Sequence, residues 1–153
     1  MPRIEDAATT ELDAATLYRI LALRSDVFVV EQDCAYLDPD GRDLEPAARQ
    51  LWISGDGDVL ATARYLIDSD GSARVGRVAT APAARGAGLA AALIRRALEL
   101  AGDRPVVLDA QSQLIEWYAR FGFVAAGAEY LEDGIPHVPM RRPGASADRN
   151  PDT

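Results

Sequence analysis

The segment from Arg77 to Ala90 constrains the fold of this chain more than any other segment. A β-rich stretch ends at Pro82, and the tight loop Arg85–Ala90 opens directly into an amphipathic helix. The first turn of a helix presents unpaired backbone N–H groups and the positive end of the helix dipole, which together favour an anion. Gly86 and Gly88 allow a ligand to approach the backbone closely and permit positive φ angles. The segment therefore predicts a strand–loop–helix unit that can bind a pyrophosphate.

A second motif, Trp117-Tyr118-Ala-Arg-Phe-Gly122-Phe123, follows at a defined distance. Between the two motifs, the pattern predicts a helix over Leu89–Ala101, a short buried strand over Val106–Leu108 and a second helix over Ser112–Phe121. Each motif alone is compatible with an ordinary turn or helix end. The two motifs in this order and at this separation are much more specific for one kind of fold than either motif alone.

Both motifs resemble signatures of the GNAT superfamily of acetyltransferases. The residues Arg85-x-x-Gly88-x-Ala90 are similar to the (Gln/Arg)-x-x-Gly-x-(Gly/Ala) loop that holds the pyrophosphate of acetyl-coenzyme A, and Tyr118 to Phe123 is similar to the Tyr-x-x-x-Gly-Phe helix end. Three further segments resemble the ElaA-type branch of that superfamily: Val29–Gln32, Asp38–Asp43 and Glu129–Met140. The resemblance covers roughly residues 15 to 142.

The remaining pattern predicts a mixed α/β fold. Thr16 is a candidate cap for a helix toward Phe28, and residues 33–47 read as an ordered loop. Strands are predicted over Gln50–Ser54, Val59–Ile67, 73–80, Val124–Tyr130 and Pro136–Arg141. This order predicts helices packed on a mostly antiparallel central sheet. The GNAT resemblance implies that acetyl-coenzyme A binds where two strands of that sheet splay apart.

The length of 153 residues predicts a single domain. We place it at residues 13–142, as the resemblance implies an acetyltransferase domain there. Residues 1–12 carry no strong pattern and are expected to be loosely ordered. Residues 143–153, which are rich in Pro, Asp and small residues, are expected to form a disordered tail.

Composition excludes several classes of function. A net charge of −8 argues against a nucleic-acid surface. The absence of a long apolar run or a signal-peptide core argues against a membrane span, and a cytoplasmic location is the default expectation. The chain is expected to be a monomer or homodimer. The single cysteine, Cys34, excludes an internal disulfide, and neither it nor His137 has partners at the spacing of a metal site. All 16 basic residues are arginines.

The resemblance implies acetyl-coenzyme A as co-substrate and no metal. It assigns the pyrophosphate to the loop, and the pantetheine and thioester carbonyl to backbone amides of strand 76–80. It assigns a further pantetheine contact to Gln111, which stands where many members of the family carry an asparagine. The implied cofactor-binding residues are Val78, Ala79, Thr80, Arg85, Gly86, Ala87, Gly88, Leu89, Ala90, Gln111 and Tyr118. Ser112, beside Gln111, is alternatively a helix cap.

Tyr118 stands where the resemblance places the general acid. An ordinary phenol has a pKa of about 10 and a thiol one of about 8.5, so a tyrosine keeps its proton until a thiolate forms. The alternative is a core aromatic whose hydroxyl has a backbone partner.

Three kinds of residue are candidates for the general base. Glu31 is the first, and His137 has the titration range of a base. The carboxylates of Asp38, Asp40 and Asp43 could attract a cationic amine and relay its proton. The alternative for such an Asp-rich segment is turn formation at a solvated surface.

These observations favour an N-acetyltransferase that moves an acetyl group directly to a small-molecule or peptide amine. Arg24-x-x-x-Phe28 also resembles the acyl-homoserine-lactone synthases, although Cys34 stands where those enzymes carry tryptophan. A third possibility is an acyl-coenzyme A-binding regulatory module without catalysis.

Overall fold

The computed structural model of the chain describes residues 3–144. These residues divide into two compact units. The first contains the chain up to Leu66 together with Val75–Ala97, and the second contains Ile67–Arg74 and the chain from Leu98 onward. Of the predicted tail at 143–153, only residues 143 and 144 lie in the described part.

Strands β1 (Arg3–Ala8) and β2 (Arg49–Gly55) lie wholly in the first unit. The unit also contains β3 (Asp58–Ile67) as far as Leu66, and the part of β4 (Ala73–Thr80) that follows Arg74. Strand β2 pairs antiparallel with β1 on one side and with β3 on the other. Strand β4 follows as the neighbour of β3.

Strand β1 corrects the expectation of a loosely ordered start over residues 1–12. Residues 3–8 pair one by one with β2, from Arg3 opposite Ser54 to Ala8 opposite Arg49. Asp6 of this strand accepts hydrogen bonds from Arg49 and Arg96. The segment itself has little hydrophobic alternation, so its order comes from these distant partners and not from a local pattern.

Two helices belong to this unit in whole or in large part. Helix α1 (Ala14–Arg24) begins at Asp13, whose carboxylate accepts a 2.7 Å hydrogen bond from the Thr16 N–H, so Asp13 caps it instead of the predicted Thr16. The helix continues as a π-helical turn over Ser25–Glu31. Helix α2 (Leu89–Ala101) has the predicted bounds.

Apolar side chains of α1 form the core of the first unit. Ile20 and Leu23 are buried, together with Val27 of the π-helical turn. They cluster with residues from β2, β3 and β4, namely Trp52, Val59 and Ala79. This packing fixes the helix against the strands, and burial of each large apolar side chain contributes about 1.5–3 kcal/mol.

The second unit is built around a long antiparallel pair. Strand β5 (Val106–Gln111) pairs over its full length with β8 (Ile135–Arg142). Two short strands, β6 (Val124–Ala125) and β7 (Tyr130–Glu132), also pair with β8. The start of β4 pairs with β5 in parallel at two positions, Ala73 with Val106 and Arg74 with Val107.

Two elements of the second unit are shorter than predicted. Helix α3 covers only Ile115–Ala119 and follows a 3-10 turn over Ser112–Leu114. The predicted strand 124–130 is interrupted near Gly127, where an added Cβ would lie 2.7 Å from Pro139 Cγ. Close packing of glycine on proline thus replaces regular pairing there.

The predicted α/β class is confirmed, with strands in mixed pairing flanked by helices. Among the described residues, no helix has both the length and the apolar character needed to span a membrane.

Candidate functional site

Helix α2 starts from a loop with two left-handed glycines. Gly86 has φ +85° and Gly88 has φ +77°, and a Cβ added at either position would meet no atom within 4 Å. The Gly88 carbonyl accepts a 3.1 Å hydrogen bond from the Ala92 N–H, so Gly88 directly precedes the helix. The loop therefore presents the helix N-terminus and open backbone to solvent, an arrangement suited to an anion.

Arg85 of this loop binds Glu31. Its two terminal nitrogens donate to the two carboxylate oxygens at 2.8 and 2.7 Å, and its Nε donates to the Thr80 carbonyl at 3.2 Å. The hydrogen bond from Arg85 lowers the pKa of Glu31. Glu31 is thus attached to the predicted pyrophosphate loop, and the lowered pKa makes it a weaker base than a free glutamate.

The three predicted acceptor-binding aspartates are paired with arginines. Asp38 and Asp43 are buried, with 2% and 8% of their surfaces exposed. Each carboxylate lies within 2.8 Å of a guanidinium nitrogen: Asp38 contacts Arg24 and Arg77, Asp40 contacts Arg64, and Asp43 contacts Arg24. Three arginines therefore offset the charge of the three aspartates, and their role in acceptor binding stays a prediction.

Arg24 lies at the centre of this buried network, with none of its surface exposed. It donates to Asp43 at 2.7 and 3.2 Å and to Asp38 at 2.8 Å. Burial opposes its charge, but Asp43 and Asp38 outweigh burial and raise the pKa of Arg24. Gln50 adds a 2.9 Å hydrogen bond to Asp43. Arg24, one of the residues that resemble the acyl-homoserine-lactone synthases, thus has structural partners here.

Acid should destabilise this network through Asp40. Burial opposes the charged form, but hydrogen bonds from Arg64 and from the Arg42 N–H lower the pKa of Asp40 to about 2. A carboxylate with a lowered folded-state pKa stabilises the fold above its ordinary pKa of about 3.9 and loses that contribution as the pH falls toward 2. We expect the free energy of unfolding, measured with urea, to decrease between about pH 4 and pH 2.

Asp40→Asn should reduce the loss of unfolding free energy between about pH 4 and pH 2. The reduction should be on the order of 1 kcal/mol after allowance for the partial exposure of Asp40. Asp56→Asn is the matched control, because it removes a carboxylate from the exposed β2–β3 turn, outside the buried network. An Asp40→Asn variant with the full acid dependence of the parent would contradict this account.

Strand β4 has a left-handed residue in its middle. Arg77 has φ +50°, which is uncommon for a residue other than glycine. The candidate carbonyl-binding residues Val78, Ala79 and Thr80 follow it directly, and the segment ends where the Ala81 N–H donates to the Leu60 carbonyl at 2.8 Å. The predicted amides therefore lie just after a backbone kink, which the sequence did not signal because no glycine stands at position 77.

Tyr118 lies on α3 in the second unit and is 7% exposed. Its ring makes edge-to-face contacts with Trp117, at 4.9 Å between centroids, and with Phe123, at 6.1 Å. Burial raises the pKa of Tyr118 to about 12. The phenol is thus held in place by aromatic neighbours and stays protonated at neutral pH, as a proton donor requires.

His137 shares a face of its strands with two other polar residues. It lies opposite Gln111 on β5 and opposite Tyr130 on β7. Directly opposed residues of antiparallel strands point to the same side. The imidazole stacks on the Tyr130 ring at 5.9 Å, with 25° between the planes.

The backbone selects one tautomer of His137. Its Nδ1 lies 2.8 Å from the Ile135 carbonyl oxygen, which can only accept a hydrogen bond. In the neutral ring, Nδ1 therefore carries the proton, and the lone pair is on Nε2. This is the form of histidine that can accept a proton from a substrate. The sequence indicates His137 as a candidate base but gives no information on its tautomer.

The polar pair at the end of β5 has local partners. Ser112 donates to Glu129 at 2.8 Å and makes no side-chain cap, so the capping alternative is wrong. Gln111 accepts a 2.8 Å hydrogen bond from Gln113 through its carbonyl oxygen, which orients its amide group. Gln111 therefore has its N–H₂ group as the donor for a further partner.

The chain matches a family model described as an acetyltransferase (GNAT) domain over residues 42–143. It is 46% identical over 145 residues to the UPF0039 protein Rv2851c of Mycobacterium tuberculosis, covering 92% of this chain and 93% of that protein. It is 40% identical over 144 residues to the protein ElaA of Escherichia coli, covering 90% of this chain and 94% of that protein.

A solved structure shows the same likeness in three dimensions. The crystal structure of an acyl-CoA N-acyltransferase from Pseudomonas aeruginosa is similar to this chain with a TM-score of 0.89 and 42% sequence identity. The match covers 93% of this chain and 99% of the solved one.

Proposed function

We propose that this chain, which belongs to the family of GNAT acetyltransferases, transfers an acetyl group from acetyl-coenzyme A to an amine. The observation that carries the proposal is the open loop with left-handed Gly86 and Gly88 at the start of α2. Members of this fold class act as acyl-coenzyme A-dependent transferases. The choice of acetyl and of an amine acceptor is our proposal.

The donor is held by the loop and by strand β4. In this proposal the backbone N–H groups of residues 86–90 bind the pyrophosphate at the positive end of α2. In the same proposal, the later part of β4 pairs with the pantetheine amides as with an added strand. An amide among Val78, Ala79 and Thr80 donates to the thioester oxygen.

The reaction needs one proton acceptor and one proton donor. The neutral amine nitrogen forms a bond to the thioester carbon, and His137 Nε2 takes the proton that this nitrogen loses. The oxygen of the tetrahedral intermediate receives the backbone hydrogen bond, which in other enzymes is worth about 3 kcal/mol. The C–S bond then breaks, and the thiolate takes the Tyr118 proton as the amide forms.

His137 is a better base than Glu31 for two reasons. Its tautomer leaves Nε2 able to accept a proton. The carboxylate of Glu31, in contrast, accepts two hydrogen bonds from Arg85, which stabilise the charged form and lower its pKa. We therefore assign Glu31 to the support of Arg85 and not to the acceptor.

The acceptor is proposed to be a small-molecule or peptide amine. Because Asp38, Asp40 and Asp43 are offset by arginines, they do not require the acceptor to carry extra positive charge. Thiol release from acetyl-coenzyme A, measured across a panel of amines, tests the proposal. Amine-dependent thiol release with formation of the acetylated amine is expected. Coenzyme A binding without turnover on any amine would instead indicate a binding module.

Gly88→Val should weaken coenzyme A binding more than tenfold, a loss above about 1.4 kcal/mol. The added side chain projects into the open space that the pyrophosphate is proposed to occupy. Calorimetric titration with coenzyme A measures the effect.

Gly57→Val is the matched control, because Gly57 has φ +84° and equally open surroundings in the β2–β3 turn. Both variants carry similar backbone strain, so only the loss specific to position 88 reports on the ligand. Equal coenzyme A affinities in the two folded variants would remove the loop from the proposed site.

A further inference from the structure

The left-handed conformation of Arg77 must be maintained by its surroundings. A non-glycine residue in this region costs on the order of 1–3 kcal/mol and persists only when neighbouring contacts determine it. The kink lies inside strand β4, immediately before the amides of Val78 to Thr80. Whatever holds residue 77 therefore also sets where those amides lie.

The side chain of Arg77 is held by the segment 36–40. Its Nη2 donates to the Asp38 backbone carbonyl at 3.1 Å and to the Asp40 carboxylate at 3.3 Å. Its Nε lies 2.8 Å from Asp38 Oδ1, an ion-pair contact without the alignment of a hydrogen bond. The guanidinium also lies over the Tyr36 ring, 5.7 Å from its centroid. Four contacts thus fix one side chain.

Asp38 is the anchor of this arrangement. Its other carboxylate oxygen accepts a 2.8 Å hydrogen bond from the fully buried Arg24, and its Oδ1 accepts one at 2.8 Å from the Tyr36 hydroxyl. Arg24 in turn belongs to α1, whose apolar side chains form the core. The contacts from Arg24 to Asp38 and from Asp38 to Arg77 therefore join the core to the kink.

We infer that Asp38 is a positioning residue, which holds the kink of β4 through Arg77 and so sets the amides that receive the thioester carbonyl. The effect on catalysis rests on the proposed function. The effect of Asp38 on the backbone of β4 does not depend on it. A displacement of about 1 Å in a reacting geometry can cost as much as a hundredfold in rate.

The test compares Asp38→Asn and Arg77→Lys with Asp6→Asn. Asp6 is a matched control, since it too accepts hydrogen bonds from two arginines, Arg49 and Arg96, but lies on β1 away from the kink.

Two readouts are used in the full-length protein. The first is the amide ¹H–¹⁵N signals and hydrogen exchange of residues 77–80. The second is kcat together with the coenzyme A dissociation constant.

We expect both network variants to shift the amide signals of residues 77–80, to speed their exchange and to lower kcat about tenfold to a hundredfold. Their coenzyme A dissociation constants should stay within about twofold of the parent, because the 85–90 loop is unchanged. Asp6→Asn should leave both readouts as in the parent. If Asp38→Asn does not fold, Arg77→Lys, which keeps the charge on a partly exposed side chain, decides the test.

Unchanged amide signals at residues 77–80 in the folded variants would overturn the inference, as would shifted signals with an unchanged kcat. An equal loss of kcat in Asp6→Asn would also overturn it, because the effect would then be general destabilisation. Absence of acyl transfer by the parent protein would refute the proposed function instead, and the amide signals would still show whether Asp38 holds the kink.

Discussion

Tyr118→Phe is expected to lower kcat about 10²–10⁴-fold, the usual contribution of a general acid. The substitution removes only the hydroxyl, so the ring can keep its edge-to-face contacts with Trp117 and Phe123. Binding of acetyl-coenzyme A should remain nearly intact, because the proton is needed only as charge develops on sulfur. Steady-state turnover and calorimetric binding together measure the two effects.

Tyr65→Phe provides a matched control for the loss of a buried phenol. Tyr65 is 5% exposed on β3, close to the 7% of Tyr118, but has no role in the proposed chemistry. Its replacement should lower stability at most and leave kcat as in the parent. Parental turnover in Tyr118→Phe would assign that hydroxyl to packing and leave the leaving-group proton to water.

His137→Ala is expected to lower kcat to a similar extent, about 10²–10⁴-fold, because Nε2 is the proposed proton acceptor. Added imidazole should restore part of the activity, since it can occupy the space of the deleted ring. A structural role for His137 would not produce such rescue. Turnover at saturating acetyl-coenzyme A, with and without imidazole, is the measurement.

Glu31→Gln, tested in parallel, distinguishes the two candidate bases. We expect it to reduce kcat far less than His137→Ala, because its carboxylate is engaged by Arg85. The opposite order, with a large loss in Glu31→Gln and near-parental turnover in His137→Ala, would make Glu31 the base.

Features set by neighbouring residues could be predicted from the sequence. Helix α2 has the predicted bounds, because its apolar period and Gly102 define it locally. The glycines of the 85–90 loop adopt the positive φ angles that the loop pattern permits. The mixed α/β class followed from the order of these local patterns, and its GNAT-like form followed from the resemblance of the two motifs.

Features set by distant residues could not be predicted. The Asp-rich segment gave no indication of its arginine partners, which lie 14 to 39 residues away along the chain. A pattern of acidic residues is the same whether they face solvent or lie in a buried ion network. The edge strand β1 and the kink at Arg77 were missed for the same reason, since each depends on contacts that no local rule contains.

In the proposed site, the bidentate contact between Arg85 and Glu31 would make donor binding a competition between two anions for one guanidinium. If the pyrophosphate engages Arg85, the carboxylate of Glu31 is released, and its pKa returns upward toward the ordinary value. A group whose pKa is higher in the complex than in the free protein takes up protons on binding. Coenzyme A affinity should therefore increase as the pH falls through the titration range of this glutamate, so that the protein couples donor capture to proton uptake at a residue outside the proposed chemistry.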